Sequence, residues 1–316
     1  MKQNNLKAIV LILFLSSSTI ALAQDDVIKV TFKRNQDNTV DFSYEKTAPG
    51  SYYIVLTFSD LINSETTKFD KVVQLSRGLL FKLRPLNPKQ GIGFSYTVRY
   101  IRGNPKPKVD KSFNYVLPFK VGKSIIISET SNLKETYFDA EKDPNWKSFM
   151  TVRKSADTIY SMRKGIVVEI VNTYDTDTLD IYKYTSKMNR IVIEHDDGTY
   201  ARYIGFKKNS IFVKLGQTVY PQTKLGALDL FNNSFYRFYF DMYYLKDVDL
   251  DSGRKQTMSS ESNTEHINPY FYSSQGPIHL THLHTYTVET DETTLIKEFT
   301  RREKKNYEKD KSFIDN

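Results

Sequence analysis

Over long stretches of this chain apolar and polar residues alternate almost position by position, and turn signals interrupt them before a helix could develop. Val27–Phe32 (VIKVTF) and Val40–Tyr44 (VDFSY) alternate in this way, and Ala48-Pro49-Gly50 turns the chain into Ser51–Phe58 (SYYIVLTF). Leu79–Leu83, Phe94–Ile101 (FSYTVRYI) and Phe113–Leu117 extend the series. A period of two places one face of each segment on a core and the other in water, the pattern of antiparallel strands. Short strands at this spacing predict a small β-sandwich, immunoglobulin-like in type, over residues 24–117. The 22 Tyr and 20 Phe fit the same reading, because aromatic side chains pack well on a pleated surface. An aromatic ligand-binding surface is the other explanation of that richness, and sheet packing is the simpler one.

A second β-rich unit is expected over residues 118–250. Ile159–Tyr160, Gly165–Val171, Arg190–His195, Tyr200–Ile204, Ile211–Val213 and Phe235–Tyr244 read as strands, and Asp196-Asp197-Gly198 has the chemistry of a tight hairpin. Asp247–Ser262 reads as a loop. The extension over 251–316 holds two more expected strands, Ile267–Tyr272 and Tyr286–Thr290, and then a helix over Asp291–Lys311. In that helix Leu295, Ile296 and Phe299 form an apolar stripe suited to docking on its own domain. Asp291 or Thr290 can cap its start, and basic residues gather late, where they suit the helix dipole. The fold class is therefore mainly β with a C-terminal helix.

Residues 1–23 have the form of a secretory signal: Lys2 and Lys7, an apolar Ala8–Ile20, then Ala21-Leu22-Ala23. That predicts an exported protein, periplasmic or extracellular. The apolar run is too short for a comfortable membrane span, and no later run approaches one. With no cysteine, the chain has no disulfide framework, no lipid-modified cysteine, no thiol nucleophile and no thiolate zinc site. Its formal charge of +8 is spread along the sequence, so nucleic acid is a poor expectation as a partner. No G-x-S-x-G elbow and no glycine-rich phosphate loop is present. The Asp196/Asp197 pair is better explained as turn chemistry than as catalysis.

Residues 159–170 (IYSMRKGIVVEI) resemble a core strand of the lysostaphin-type (LytM-like) zinc endopeptidases, which cut the peptide parts of bacterial cell walls. Residues 191–226 (IVIEHDDGTYARYIGFKKNSIFVKLGQTVYPQTKLG) resemble that family's strand, D-G-T-Y hairpin, Y-x-H-L strand and K-x-G-x-x-V…G turn in order. Arg237–Met242 (RFYFDM) falls where the family has H-x-H-F-E. The resemblance covers roughly residues 118–245.

What it implies for chemistry can be checked position by position. In the family an early His, an early Asp and the second His of H-x-H hold zinc, leaving a position open for a water that attacks the amide. The first His of H-x-H and the His of Y-x-H-L orient that water and stabilise the oxyanion. Here no histidine precedes His195, although Asp139 or Asp143 stands near the place of the second ligand. The H-x-H positions hold Arg237 and Tyr239, and the Y-x-H-L position holds Gly205, beside Tyr203. A permanent guanidinium where a dication sat opposes metal binding further. The resemblance thus implies the fold without zinc, other cofactor or catalytic residue, and a degenerate groove formed by Tyr203, Gly205, Arg237 and Tyr239. His195 reads as a structural strand-end residue.

A second possible metal site is His279-Leu-Thr-His282-Leu-His284, with His266 nearby. On one strand, His282 and His284 would face the same side and could share a transition metal. That is the alternative of an active zinc metallopeptidase with unorthodox ligands, and a polar loop and strand is the plainer reading. The function expected from the sequence is an exported, non-catalytic pseudopeptidase that binds cell-wall peptide or regulates or scaffolds a cell-envelope protein partner. A purely structural envelope protein is the other alternative. An open groove would favour peptide binding, and a groove filled by its own aromatics would favour scaffolding.

Overall fold

The computed structural model describes residues 27–130, 146–176, 187–231, 234–246 and 263–315. The signal segment, Asp139, Asp143 and the Asp247–Ser262 loop lie outside the described residues. The first part is the sandwich read from the alternation. One antiparallel sheet has the order β1 (Ile28–Arg34), β2 (Val40–Lys46), β5 (Arg77–Leu83); the other is β4 (Lys68–Val73), β3 (Tyr52–Ile62), β6 (Gly93–Arg102). In β2 the alternation is literal: Val40, Phe42 and Tyr44 are buried, while Asp41 and Ser43 are not. Phe42 meets Phe58 and Phe94 at ring-centroid distances of 5.3 and 5.5 Å inside the sandwich. Each such fully buried ring contributes about 1.5–3 kcal/mol relative to exposure.

The second part is built on an extended antiparallel sheet. Along it lie β14 (Thr218–Val219), β11 (Gly165–Val171), β12 (Asn189–Glu194), β13 (Thr199–Ile211), β17 (Phe235–Leu245), β9 (Phe149–Arg153), β8 (Ser124–Glu129) and β20 (His284–Thr287). Short strands flank it: β10 (Thr158–Tyr160) on β15 (Lys224–Leu228), β16 (Leu230–Phe231) and β18 (Thr264–His266) on β17, and β7 (Asn114–Tyr115) parallel to β19 (Tyr270–Phe271). Residues 196–198 make the expected hairpin between β12 and β13. Gly198 takes the positive φ such a turn requires, and Ile193 opposes Ala201. The core between these elements contains Phe119, Ile191, Tyr203, Phe238 and Phe240, all buried.

Three expectations are corrected. Phe113–Leu117, read as the end of the first series, contributes Phe113, Tyr115, Val116 and Leu117 to the second core. A period-two pattern says which residues face inward but not which core receives them. The expected strands Ile267–Tyr272 and Tyr286–Thr290 shrink and shift to β18, β19 and β20, the last completing the main sheet on β8. The expected continuous helix is two: α1 (Glu292–Leu295), capped by Asp291, and α2 (Arg301–Lys309), capped by Thr300 in a reciprocal box with Glu303. The break falls where Glu298 and Phe299 turn inward to tertiary partners, which overrides helical propensity. As expected, Phe299 docks on its own domain, in a cluster with Tyr220 and Tyr307.

The sandwich rests on the outer face of the β11–β12–β13–β17 sheet, where Val168, Val192 and Tyr200 are buried. The Ser51 amide donates to Glu194 Oε2 at 2.8 Å, and Arg102 pairs with Glu169 at 3.3 Å. Among the described residues no helix is long and apolar enough to cross a membrane.

Candidate functional site

The expected groove lies on the central pair β13–β17, whose register sets Tyr203 against Phe240 and Ile204 against Tyr239. Strand alternation then separates the four groove residues. Tyr203 points the same way as Phe238 and Phe240, into the core, and is fully buried. Its hydroxyl accepts from the Met162 amide at 3.0 Å, and burial holds its pKa above the usual tyrosine value. Tyr203 is thus a core residue and not part of the groove.

Gly205 is displaced from the ladder. The β12–β13 register runs from Arg190↔Ile204 to Asn189↔Phe206, so Gly205 is the extra residue of a bulge. It has φ +119°, and a Cβ placed on it would stand 2.3 Å from the Arg237 carbonyl oxygen. Only glycine fits that position.

Arg237 and Tyr239 project from β17 on the face opposite Tyr203. The Arg237 guanidinium lies 4.0 Å from the Phe231 ring centroid and 5.1 Å from that of Phe235, and its Nη1 donates to the Tyr239 hydroxyl at 3.2 Å. Two neighbouring rings hold the guanidinium by cation–π attraction. Beside it is a cleft of about 30 Å³ lined by Arg237, Gly205, Phe231, Asp229, Lys187 and Asn189, room for about two waters. Buried Asn189 fixes its floor: its carbonyl accepts from the Thr173 and Tyr174 amides, and its NH2 donates to the Tyr174 and Phe206 carbonyls. Desolvation raises the Asp229 pKa, against hydrogen bonds from Thr176 and the Leu230 amide. The structure thus brings Gly205, Arg237 and Tyr239 together, with Gly205 and Arg237 lining the small cleft, and leaves Tyr203 out.

The three late histidines are dispersed. His279 stacks on Tyr270 with ring centroids 3.9 Å apart and has Nδ1 3.0 Å from the Pro269 carbonyl. His282 accepts from the Glu129 amide through Nδ1 at 3.2 Å. Leu283 takes φ +58°, and β20 begins only at His284, so His282 and His284 do not share a strand face. Among the described residues no group of three His, Asp or Glu side chains is arranged to hold a metal.

A second polar centre escaped the sequence reading. Arg163 is 2% exposed. Its Nη2 and Nε donate to the Glu298 carboxylate at 2.7–3.1 Å, and its Nη1 donates to Asp197 Oδ2 at 2.9 Å and the Tyr115 hydroxyl at 3.2 Å. The Phe113 ring lies 3.7 Å from the guanidinium carbon. Burial opposes the charge on Arg163, but its carboxylate partners outweigh that and raise its pKa. Burial likewise works to raise the Asp197 pKa, and Arg163 together with Thr199 brings it below the usual aspartate value. His195 sits alongside with Nδ1 2.7 Å from the Lys164 carbonyl, and its buried Nε2 has no partner among the described residues. Desolvation and the Arg163 charge push its pKa down to about 3, so it is neutral. Asp197 does the turn chemistry expected of it, accepting from the Thr199 amide and hydroxyl, and carries half of an ion pair as well. Glu298 is 135 residues from Arg163, a separation no local pattern spans.

No protein-family model matches the sequence, and no curated protein matches it. Among solved structures, one of the SpoIIQ–SpoIIIAH pore-forming complex has a chain 16% identical, aligned over 43% of this chain and 85% of that one with TM-score 0.28. A zinc-containing peptidase from Vibrio cholerae is 14% identical over 73% of this chain and 79% of its own, with TM-score 0.25. Helicobacter pylori Csd3 is 10% identical over 89% of this chain and 77% of its own, with TM-score 0.31.

Proposed function

We propose that this chain is an exported, non-catalytic protein of the cell envelope, built on the lysostaphin-type plan and acting as a scaffold for a protein partner. The observation that carries the reading is what stands at the positions of the family's histidines. The Arg237 guanidinium packs against the Phe231 and Phe235 rings where the resemblance places the first histidine of H-x-H, and its own backbone oxygen occupies the space a side chain at Gly205 would need. A histidine cannot be accommodated at 205, and Tyr239 at the ligand position is engaged with Arg237. The strand and turn pattern that supports the fold is retained while each histidine position the chemistry needs carries something else. The cleft beside Arg237 is small, which favours partners that meet the outside of the protein.

Metal content of the purified protein, after exposure to limiting zinc and desalting, tests the first half of this reading. Zinc well below one equivalent is the expected result, and one tightly held zinc per chain overturns it. Crosslinking in envelope extracts tests the second half: a discrete protein partner is expected, and its absence together with retention on purified cell wall would reject the scaffold. Retention on cell wall belongs to a second reading, in which Lys187 and Arg237 on the cleft receive a carboxylate of a wall peptide. An Arg237→Ala variant that binds wall fragments as tightly as the parent removes that alternative.

A further inference from the structure

The inner and outer faces of α2 have opposite character. Tyr307 is its one buried residue and packs against Phe299 with ring centroids 5.8 Å apart. Glu303, on the neighbouring inner position, accepts from Lys164 Nζ at 2.8 Å and from the Tyr220 hydroxyl at 3.0 Å. At about 100° per residue, the positions opposite Tyr307 and Glu303 are Arg301, Arg302, Lys305 and Lys309, and all four are exposed. Arg302 and Glu308 flank that face at equal angles on its two sides, and Lys304 lies further round, beside Glu308. The inward carboxylate is engaged by Lys164 and Tyr220, and the outward face carries its cations against the one carboxylate of Glu308, which leaves it net positive.

This arrangement costs the helix stability. Arg301 and Arg302 stand in the first turn, where the macrodipole disfavours cations. Arg301/Lys305 and Lys305/Lys309 are like-charge pairs four residues apart, each unfavourable by a few tenths of a kcal/mol. None of the four is held in an ion pair among the described residues. The face carries no apolar anchor, and lysine is depleted from protein–protein interface cores. A diffuse anionic surface matches it better.

We propose that the outer face of α2 binds the headgroups of an anionic lipid bilayer. The contact is electrostatic and peripheral, because the apolar residues of the helix are already used by Tyr220 and Phe299 and are not available for insertion. It is independent of the groove.

Co-sedimentation of the full chain with vesicles tests this, comparing phosphatidylcholine alone with phosphatidylcholine mixed with phosphatidylglycerol. Binding only to the mixed vesicles is expected, falling steeply as salt is raised. The triple variant Arg301→Gln/Lys305→Gln/Lys309→Gln should lose about a hundredfold in affinity, while a Lys305→Arg/Lys309→Arg variant keeps it. None of these side chains is buried, and an unchanged melting transition confirms that the fold is intact. Equal binding to both vesicle types, full binding by the triple variant, or capture of an acidic protein with no vesicle binding would each overturn the proposal.

Discussion

Two arginines of the second unit show how differently one side chain can be held. Arg163 is almost wholly buried, and its charge is answered by Glu298, Asp197 and a tyrosine hydroxyl. Arg237 is half-buried on a cleft wall, packed against two neighbouring phenylalanine rings and touching Tyr239. A charge removed from water needs full compensation, and losing one partner leaves an uncompensated ion. Arg237 keeps part of its surface in water, so less of its hydration has to be replaced. Arg163 is therefore part of what holds the fold together, and Arg237 is part of what the surface presents. The difference teaches that the place where the resemblance puts chemistry is energetically the looser of the two.

The sharpest test of this contrast is Arg163→Met. It leaves the Glu298 and Asp197 carboxylates facing each other without their cation, and an expected loss of about 3–5 kcal/mol would appear in urea unfolding. A loss as small as that of a surface substitution would erase the distinction. Next is Gly205→His, which returns a histidine to the groove. With its Cβ on the Arg237 carbonyl and a backbone few side chains adopt, it should cost about 3 kcal/mol and gain no zinc. A stable, zinc-binding variant would show the groove to be plastic.

The pH dependence separates the centres more finely. His195 has its folded pKa near 3, below the usual 6.5. The unfolded chain therefore binds a proton that the folded one does not. Stability from this group is full above about pH 6.5 and declines as pH falls toward 3, with a slope of up to about 1.4 kcal/mol per pH unit. Asp197, also lowered, acts in the same direction at the acid end. Unfolding measured from pH 7 to pH 4 should show the slope, and His195→Gln should flatten it. The smallest effect belongs to Arg237→Ala, with about 1 kcal/mol or less of stability lost with its ring contacts. A loss matching that of Arg163→Met would mean the groove arginine is structural too.

Much of the fold was legible because period two is written locally. The alternation in β2 and the Asp196-Asp197-Gly198 hairpin both appear where the residues indicate. The same locality set the limits. Phe113–Leu117 shows a strand's pattern but not the core it joins. The tail shows helical spacing but not that Glu298 is drawn away to Arg163. His282 and His284 have the spacing of a shared strand face, and a single positive φ at Leu283 removes it. Of the positions the resemblance marked, Arg237 touches Tyr239 through its guanidinium and Gly205 through its carbonyl. Alternation counted from Phe238 and Phe240 would have placed Tyr203 in the core, once the β13–β17 register was known.

The partnership of Arg163 and Glu298 also bears on where the protein can be cut. Arg163 takes one carboxylate from 34 residues away and the other from 135. A chain shortened before Glu298 would keep the buried guanidinium and lose half of its compensation. The C-terminal tail is therefore tied to the second core by charge as well as by the packing of Phe299, and the two stand or unfold together.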